Sequence, residues 1–209
     1  MALQVIQPQL TQNNFKEPQR QISINMTSPQ KAKGSGFERE VAKFLSDLYG
    51  ESFIRAPGSG AYIGGKNQHR TAVLHEGQVR SFKGDIVPGQ SFSKMNIECK
   101  FYADFPFHLL LSGDCKVINT WIEQLMDVAD IGDVNLLFMK FNRKGRYVAV
   151  QCGSTWITDN FVYYSSSKFG DWLIVEFDDF FLHNSTLLKS YSATPDTTSN
   201  QTVINIPTT

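Results

Sequence analysis

The chain is short of the features that would place it in a membrane, outside a cell, or on a metal–thiolate scaffold. It has three cysteines in 209 residues, Cys99, Cys115 and Cys152. They are odd in number and lack ligand spacing, which argues against a disulfide framework and a zinc centre and fits a reducing cytosol. No apolar run is long enough to span a bilayer, and no basic-then-apolar signal peptide opens the chain, so the expectation is a cytoplasmic protein with no membrane partner. No internal repeat is visible. Nor is there an excess of charge: 20 Lys and Arg balance 20 Asp and Glu, so the total does not by itself point to nucleic acid.

What is present is unevenly distributed. Residues 1–30 are rich in Gln, Asn, Ser and Pro, and the chain from about 190 turns to Ser, Thr, Asn and Pro. Such segments bury too little apolar surface to offset their ordering entropy, so both read as flexible tails around a folded domain at 31–189. Residues 31–100 hold 11 Lys or Arg against 7 Asp or Glu, whereas 101–209 hold 7 against 12. A local basic excess of this kind attracts phosphates while the whole stays neutral, and it also suits a solvated mixed surface.

Phe37, Val41, Phe44, Leu45 and Leu48 recur at helical spacing, which predicts a helix over 35–49, with Ser35 as N-cap and Glu38 completing a capping box. A short strand is expected at 51–55, ended by Pro57-Gly58-Ser59-Gly60, followed by a long basic loop at 61–83. A strand at 85–87 stops at Pro88-Gly89, and 95–101 reads as its hairpin partner. Val117, Ile118, Trp121, Ile122, Leu125, Met126 and Ala129 form a helical stripe. Strands are expected at 134–141, 146–151, 161–164 and 172–177, with a short element at 178–182. This order describes an α/β domain, a central mixed β-sheet flanked by helices.

The chemistry gathers on Glu98-Cys99-Lys100. On a strand, residues two apart share a face, so Glu98 and Lys100 project together while Ile97, Cys99 and Phe101 turn to the other side. Asp85, after Gly84, reaches the same end of the sheet. Two carboxylates there offer hard oxygen ligands of the kind Mg²⁺ or Mn²⁺ takes, and a lysine beside them can orient a water or steady developing negative charge. Taken alone, an Asp followed by Glu-x-Lys also describes many surface salt bridges.

Four motifs in order make the pattern specific. Lys33-Gly34-Ser35-Gly36-Phe37-Glu38-Arg39-Glu40, Arg55-Ala56-Pro57-Gly58-Ser59-Gly60-Ala61, Gly84-Asp85-Ile86 and Ile97-Glu98-Cys99-Lys100 together resemble Holliday junction resolvases of the archaeal and phage type. The resemblance implies the restriction-endonuclease-like fold of PD-(D/E)xK nucleases. It implies a metal site of Glu38, Asp85 and Glu98, a catalytic Lys100, and phosphate contacts from Arg55 and Ser59. It also implies Mg²⁺ (or Mn²⁺) as cofactor, branched or double-stranded DNA as partner, a homodimer, and a prokaryotic or phage-infected host cell. Gly84 stands where the superfamily's name has Pro. The 61–83 insertion departs from the compact resolvases and bears on any transfer of their DNA surface.

Several residues carry two readings. Glu38 is explained by a capping box as well as by a metal. Lys66, His69, Arg70, Arg80 and Lys83 of the long loop form either a phosphate clamp or ordinary solvated charges, and Lys33 is a further candidate DNA contact. Gln124, on the helix after the Glu-x-Lys strand, faces either the site or solvent. The aromatic run Phe101, Tyr102, Phe105, Phe107 suits core packing better than base stacking. The expected function is a metal-dependent endonuclease acting on branched DNA. The alternatives are a restriction-like, nicking or end-processing nuclease on the same site, and a non-catalytic DNA-binding protein on a nuclease fold.

Overall fold

The computed structural model describes residues 29–57, 83–112, 115–153 and 155–193. Five strands form the main sheet in the order β3-β4-β5-β7-β6: β3 (Met95–Tyr102), β4 (Val134–Phe141), β5 (Gly145–Gln151), β6 (Phe161–Ser166) and β7 (Gly170–Glu176). The β3–β4 pair is parallel and every other pair antiparallel, which makes the sheet mixed as expected. Two-residue strands β1 (Ile54–Arg55) and β2 (Ile86–Val87) pair antiparallel to each other beside it.

Strand β4 shows why the sheet is central. Its run Leu136–Met139 is apolar at every position, the pattern of a strand buried on both faces. Leu136 and Phe138 enter one core with helix α1 (Pro29–Tyr49) and helix α3 (Phe177–Ser192), among Phe37, Val41, Leu45, Phe177, Phe180 and Leu188. Leu137, Met139 and Phe141 enter a second core with helix α2 (Lys116–Met126), among Ile118, Trp121, Ile122 and Leu125. Phe105 and Phe107 join this second core around Phe141, so that part of the aromatic run is packing.

Four expectations are corrected. Helix α1 begins at Pro29, not Ser35; Pro is favoured at a first helical position, and Ser35 Oγ donates to Ala32 O inside the helix rather than capping it. The capping-box account of Glu38 therefore falls. Strands β2 and β3 are not a hairpin: β2 pairs with β1, and β3 takes β4 as a parallel partner. The short element expected at 178–182 is the first third of α3. Its polar stretch masks it in the sequence, but Asn184 is fully buried because its amide clasps the Ile157 backbone, accepting from N at 2.7 Å and donating to O at 2.6 Å. Helix α3 also carries ordered structure past 189, to Ser192.

Candidate active site

The site lies at the β3 edge of the sheet, where α1 arrives from one face and α2 from the other. Strand alternation sends Cys99 into the α1 core and Glu98 and Lys100 to the α2 side. Lys100 Nζ donates to Glu98 Oε1 at 2.5 Å and also to Gln124 Oε1 of α2. Gln124 thus faces the site rather than only solvent. The lysine is held between a carboxylate and an amide, both acceptors, with its ammonium largely shielded from water.

Asp85 reaches the strand from the β2 side. Its backbone N–H donates to Ile97 O at 2.7 Å, and its Oδ2 accepts from Cys99 N at 2.8 Å. Gly84 makes this approach possible. It has φ +65°, and a Cβ there would sit 2.4 Å from Ile97 O. A proline, with φ fixed near −65°, does not fit this backbone, which accounts for the departure from the superfamily's name.

Glu38 of α1 is held by the Nε–H of Arg55 on β1. The Arg55 guanidinium is therefore tied to a carboxylate of the site. Burial, and then the Asp85 carboxylate, raise the Glu38 pKa despite Arg55. The same two causes, in the same order, push Glu98 up to about 7, against the pull of Lys100; Glu38 adds to the rise. Glu38, Asp85 and Glu98 therefore act on one another as a coupled group of negative charges in a poorly solvated place. Cys99 beneath them is held well above its ordinary pKa by burial and the same carboxylates, so it is a packing thiol.

Can these residues hold a divalent cation? Among the described residues no three His, Cys, Asp or Glu side chains stand close enough to grip an ion as they are. Glu38 and Glu98 are turned to Arg55 and Lys100, which supply the positive charge. The donor set nevertheless fits a hard cation: carboxylate oxygens only, two of the residues buried, and a mutual repulsion that a dication would relieve.

Lys83 does not join the site. Its ammonium binds Asp130 at 2.8 Å and the buried Asp133, so it ties the start of the β2 segment to the turn before β4. Lys33 sits over the Phe101 ring at 5.9 Å, near the site but outside it. Ser59, Lys66, Arg70 and Arg80, with most of the 61–83 loop, lie outside the described residues. One contributor escapes the sequence reading: Asn96, two residues before Glu98 on the same face. Its buried amide donates to Leu125 O at 2.9 Å and Asn135 Oδ1 at 2.8 Å, fixing α2 beside Gln124. The signal is the 96-98-100 alternation, in which an Asn shares the face of the Glu-x-Lys pair.

A family model described as "Phage putative PDDEXK endonuclease" matches residues 29–189, well over half of the chain. The chain belongs to that family. As a member of a PDDEXK endonuclease family it has the restriction-endonuclease-like fold. The match begins at the first residue of α1, so the family unit includes the helix that carries Glu38. No curated protein and no solved structure matches this PDDEXK chain. No described helix is long and apolar enough to cross a membrane.

Proposed function

We propose that this chain is a Mg²⁺- or Mn²⁺-dependent endodeoxyribonuclease that cuts branched DNA such as four-way junctions, working as a homodimer. The observation that carries the catalytic reading is the coupled group: Glu98 and Lys100 on one strand face, with Asp85 and Glu38 acting electrostatically on Glu98. In this reading Glu38, Asp85 and Glu98 hold the cation. When bound, it supplies charge neutralisation at the scissile phosphate and an acidified water.

The chain's own residues do the rest. Lys100 Nζ, clamped between Glu98 and Gln124, has lost the rotamer freedom that a surface lysine keeps, so it can present one N–H to a water or to the phosphate oxygen that gains charge. Gln124 takes up a second N–H. Arg55, beside Glu38, offers a guanidinium to a neighbouring phosphate, with Ser59 of the same motif as an expected companion. A two-fold dimer would match the symmetry of a four-way junction.

The test is cleavage of a labelled four-way junction, a matched duplex and a single strand, in Mg²⁺, in Mn²⁺ and in EDTA, by wild type and Asp85→Asn. Paired symmetric cuts in the junction alone, lost in EDTA and in the variant, are the expected result. Cleavage of all three substrates keeps the nuclease and sinks junction selectivity, favouring the restriction-like or end-processing alternative. DNA binding without cleavage under any condition would favour a non-catalytic protein on this fold.

A further inference from the structure

The tip of the β4–β5 hairpin belongs neither to the core nor to the site. Its three loop residues Asn142, Arg143 and Lys144 are all exposed. Arg143 has φ 57°, the only positive φ at a non-glycine residue among those described. Gly or Asn takes that conformation at little cost, whereas an arginine is strained there. Folding of the turn alone gives no reason for an arginine at this position. A residue held in a conformation that disfavours it is a pointer to function.

The neighbouring charges single out the same residue. Lys140 and Arg146 are paired with Glu40 at 2.5 and 3.2 Å, and Arg146 with Asp178 at 2.6 Å. Lys144 is paired with Asp104 at 2.5 Å, but both side chains are mostly in water, where such a pair exchanges readily. Arg143 has no carboxylate partner among the described residues. Lys33 and Lys140 lie over the Phe101 ring at 5.9 and 5.5 Å, on the α1 face of the same sheet end.

Distance makes the hairpin useful to the site. Strand β3 runs from Lys100 to Tyr102, which lies opposite Phe141 and accepts from Asn142 N at 3.3 Å. At a strand rise of about 3.3 Å per residue, the hairpin tip stands roughly 10 Å beyond Lys100. Phosphates along one DNA strand recur every ~3.4 Å of helix axis. A backbone whose scissile phosphate sits at Glu98 and Lys100 therefore has flanking phosphates within reach of the tip, no more than a few nucleotides away.

We propose that the tip of the β4–β5 hairpin is a contact for the DNA phosphate backbone flanking the cleavage site, with Arg143 as its principal ligand and Lys144 as its second. This rests on the reading of the site as a DNA nuclease. Arg143 is held in its strained turn by the flanking ladder and presents a fork of N–H donors to phosphate oxygens.

The experiment measures binding of a fluorescein-labelled 30-base-pair duplex by anisotropy across a salt series, using full-length Asp85→Asn protein alone and with Arg143→Gly, Arg143→Lys or Lys189→Ala added. Lys189 lies near the end of α3, whose Ser192 carbonyl bonds Lys94 N at the start of β3, away from the hairpin; it controls for loss of one charge anywhere. Arg143→Gly is expected to weaken binding three- to tenfold and to lower the salt slope by about 0.9, one phosphate contact. Its melting temperature should equal or exceed that of the parent, because glycine relieves the turn. Arg143→Lys should keep most of the slope, and Lys189→Ala all of it. Three results overturn the proposal: an unchanged slope in Arg143→Gly, an equal loss in Lys189→Ala, or a binding loss that tracks a fall in melting temperature. Wild-type cleavage of the duplex or of a four-way junction, measured alongside, separates failure of the hairpin from failure of the nuclease reading. If the wild type neither binds nor cuts DNA, both fall.

Discussion

Replacing Glu98 with Gln should stabilise the metal-free protein at alkaline pH while destroying its activity. Glu98 is buried, and its pKa is pushed from 4.5 to about 7 by burial and the Asp85 carboxylate. Because the folded value lies above the unfolded one, the folded chain holds more protons than the unfolded chain between pH 4.5 and about 7. Stability therefore falls as pH rises through that window, and below it Glu98 is neutral in both states and contributes nothing to the slope. At ~1.4 kcal/mol per pKa unit, the ionised carboxylate costs the fold about 3 kcal/mol at pH 8. Glutamine keeps the shape and an acceptor for Lys100 without the charge. Urea unfolding in EDTA from pH 5 to pH 8.5 should show wild type losing stability up to a little above pH 7 and then levelling off, with the variant flatter and ~2–3 kcal/mol ahead at the alkaline end. Mg²⁺ should narrow that gap by binding the wild-type carboxylates. If wild type is flat, or the variant is weaker at pH 8, Glu98 is not a strained carboxylate and the argument for a cation-seeking site loses its energetic basis.

Three other changes test separate parts of the site. Gly84→Ala places a Cβ 2.4 Å from Ile97 O at a φ of +65°; it should cost about 2 kcal/mol or more in a thermal or urea melt and reduce cleavage by displacing Asp85. Lys83→Ala leaves the almost fully buried Asp133 carboxylate without its ammonium and should cost ~3 kcal/mol by urea unfolding, whereas Lys83→Ala with Asp133→Asn should recover part of it. Gln124→Ala frees one side of the Lys100 clamp; single-turnover cleavage should slow about tenfold with little change in DNA affinity, and a change in affinity alone would place Gln124 outside the chemistry.

The sequence is most legible where periodicity and burial agree. Strand β4 and the α2 stripe fall at or within a few residues of their expected bounds, because apolar residues at those spacings have to be covered by a core. The Glu98 and Lys100 pairing follows from strand alternation alone. What the sequence hides is whatever depends on partners distant in the chain. The parallel pairing of β3 with β4 is decided by the helix that crosses between them, not by the short Pro88-Gly89 turn signal that suggests a hairpin. Helix α3 is hidden because Asn184 reads as a surface residue until the Ile157 backbone it satisfies is known. Lys83 looks like one cation of a basic loop, and only folding brings it to Asp130 and Asp133. Gly84 is visible, but its reason, the Ile97 carbonyl, lies thirteen residues away.

The way Asp85 meets β3 has a consequence for how the protein is studied and for what can add itself to the sheet. Strand β3 is the outermost strand of its sheet, and an open edge invites another chain to add itself there. Here Asp85 takes the seat of a neighbouring strand: its N–H and its side-chain oxygen satisfy Ile97 O and Cys99 N in place of a ladder. One carboxylate thus covers part of the sheet edge and, in the proposed function, also holds the metal. An alanine at 85 would abolish activity and unseal the edge together, and an aggregated, inactive variant would say nothing about catalysis. Asparagine keeps the sealing oxygen and removes only the charge, so it alone separates the two duties.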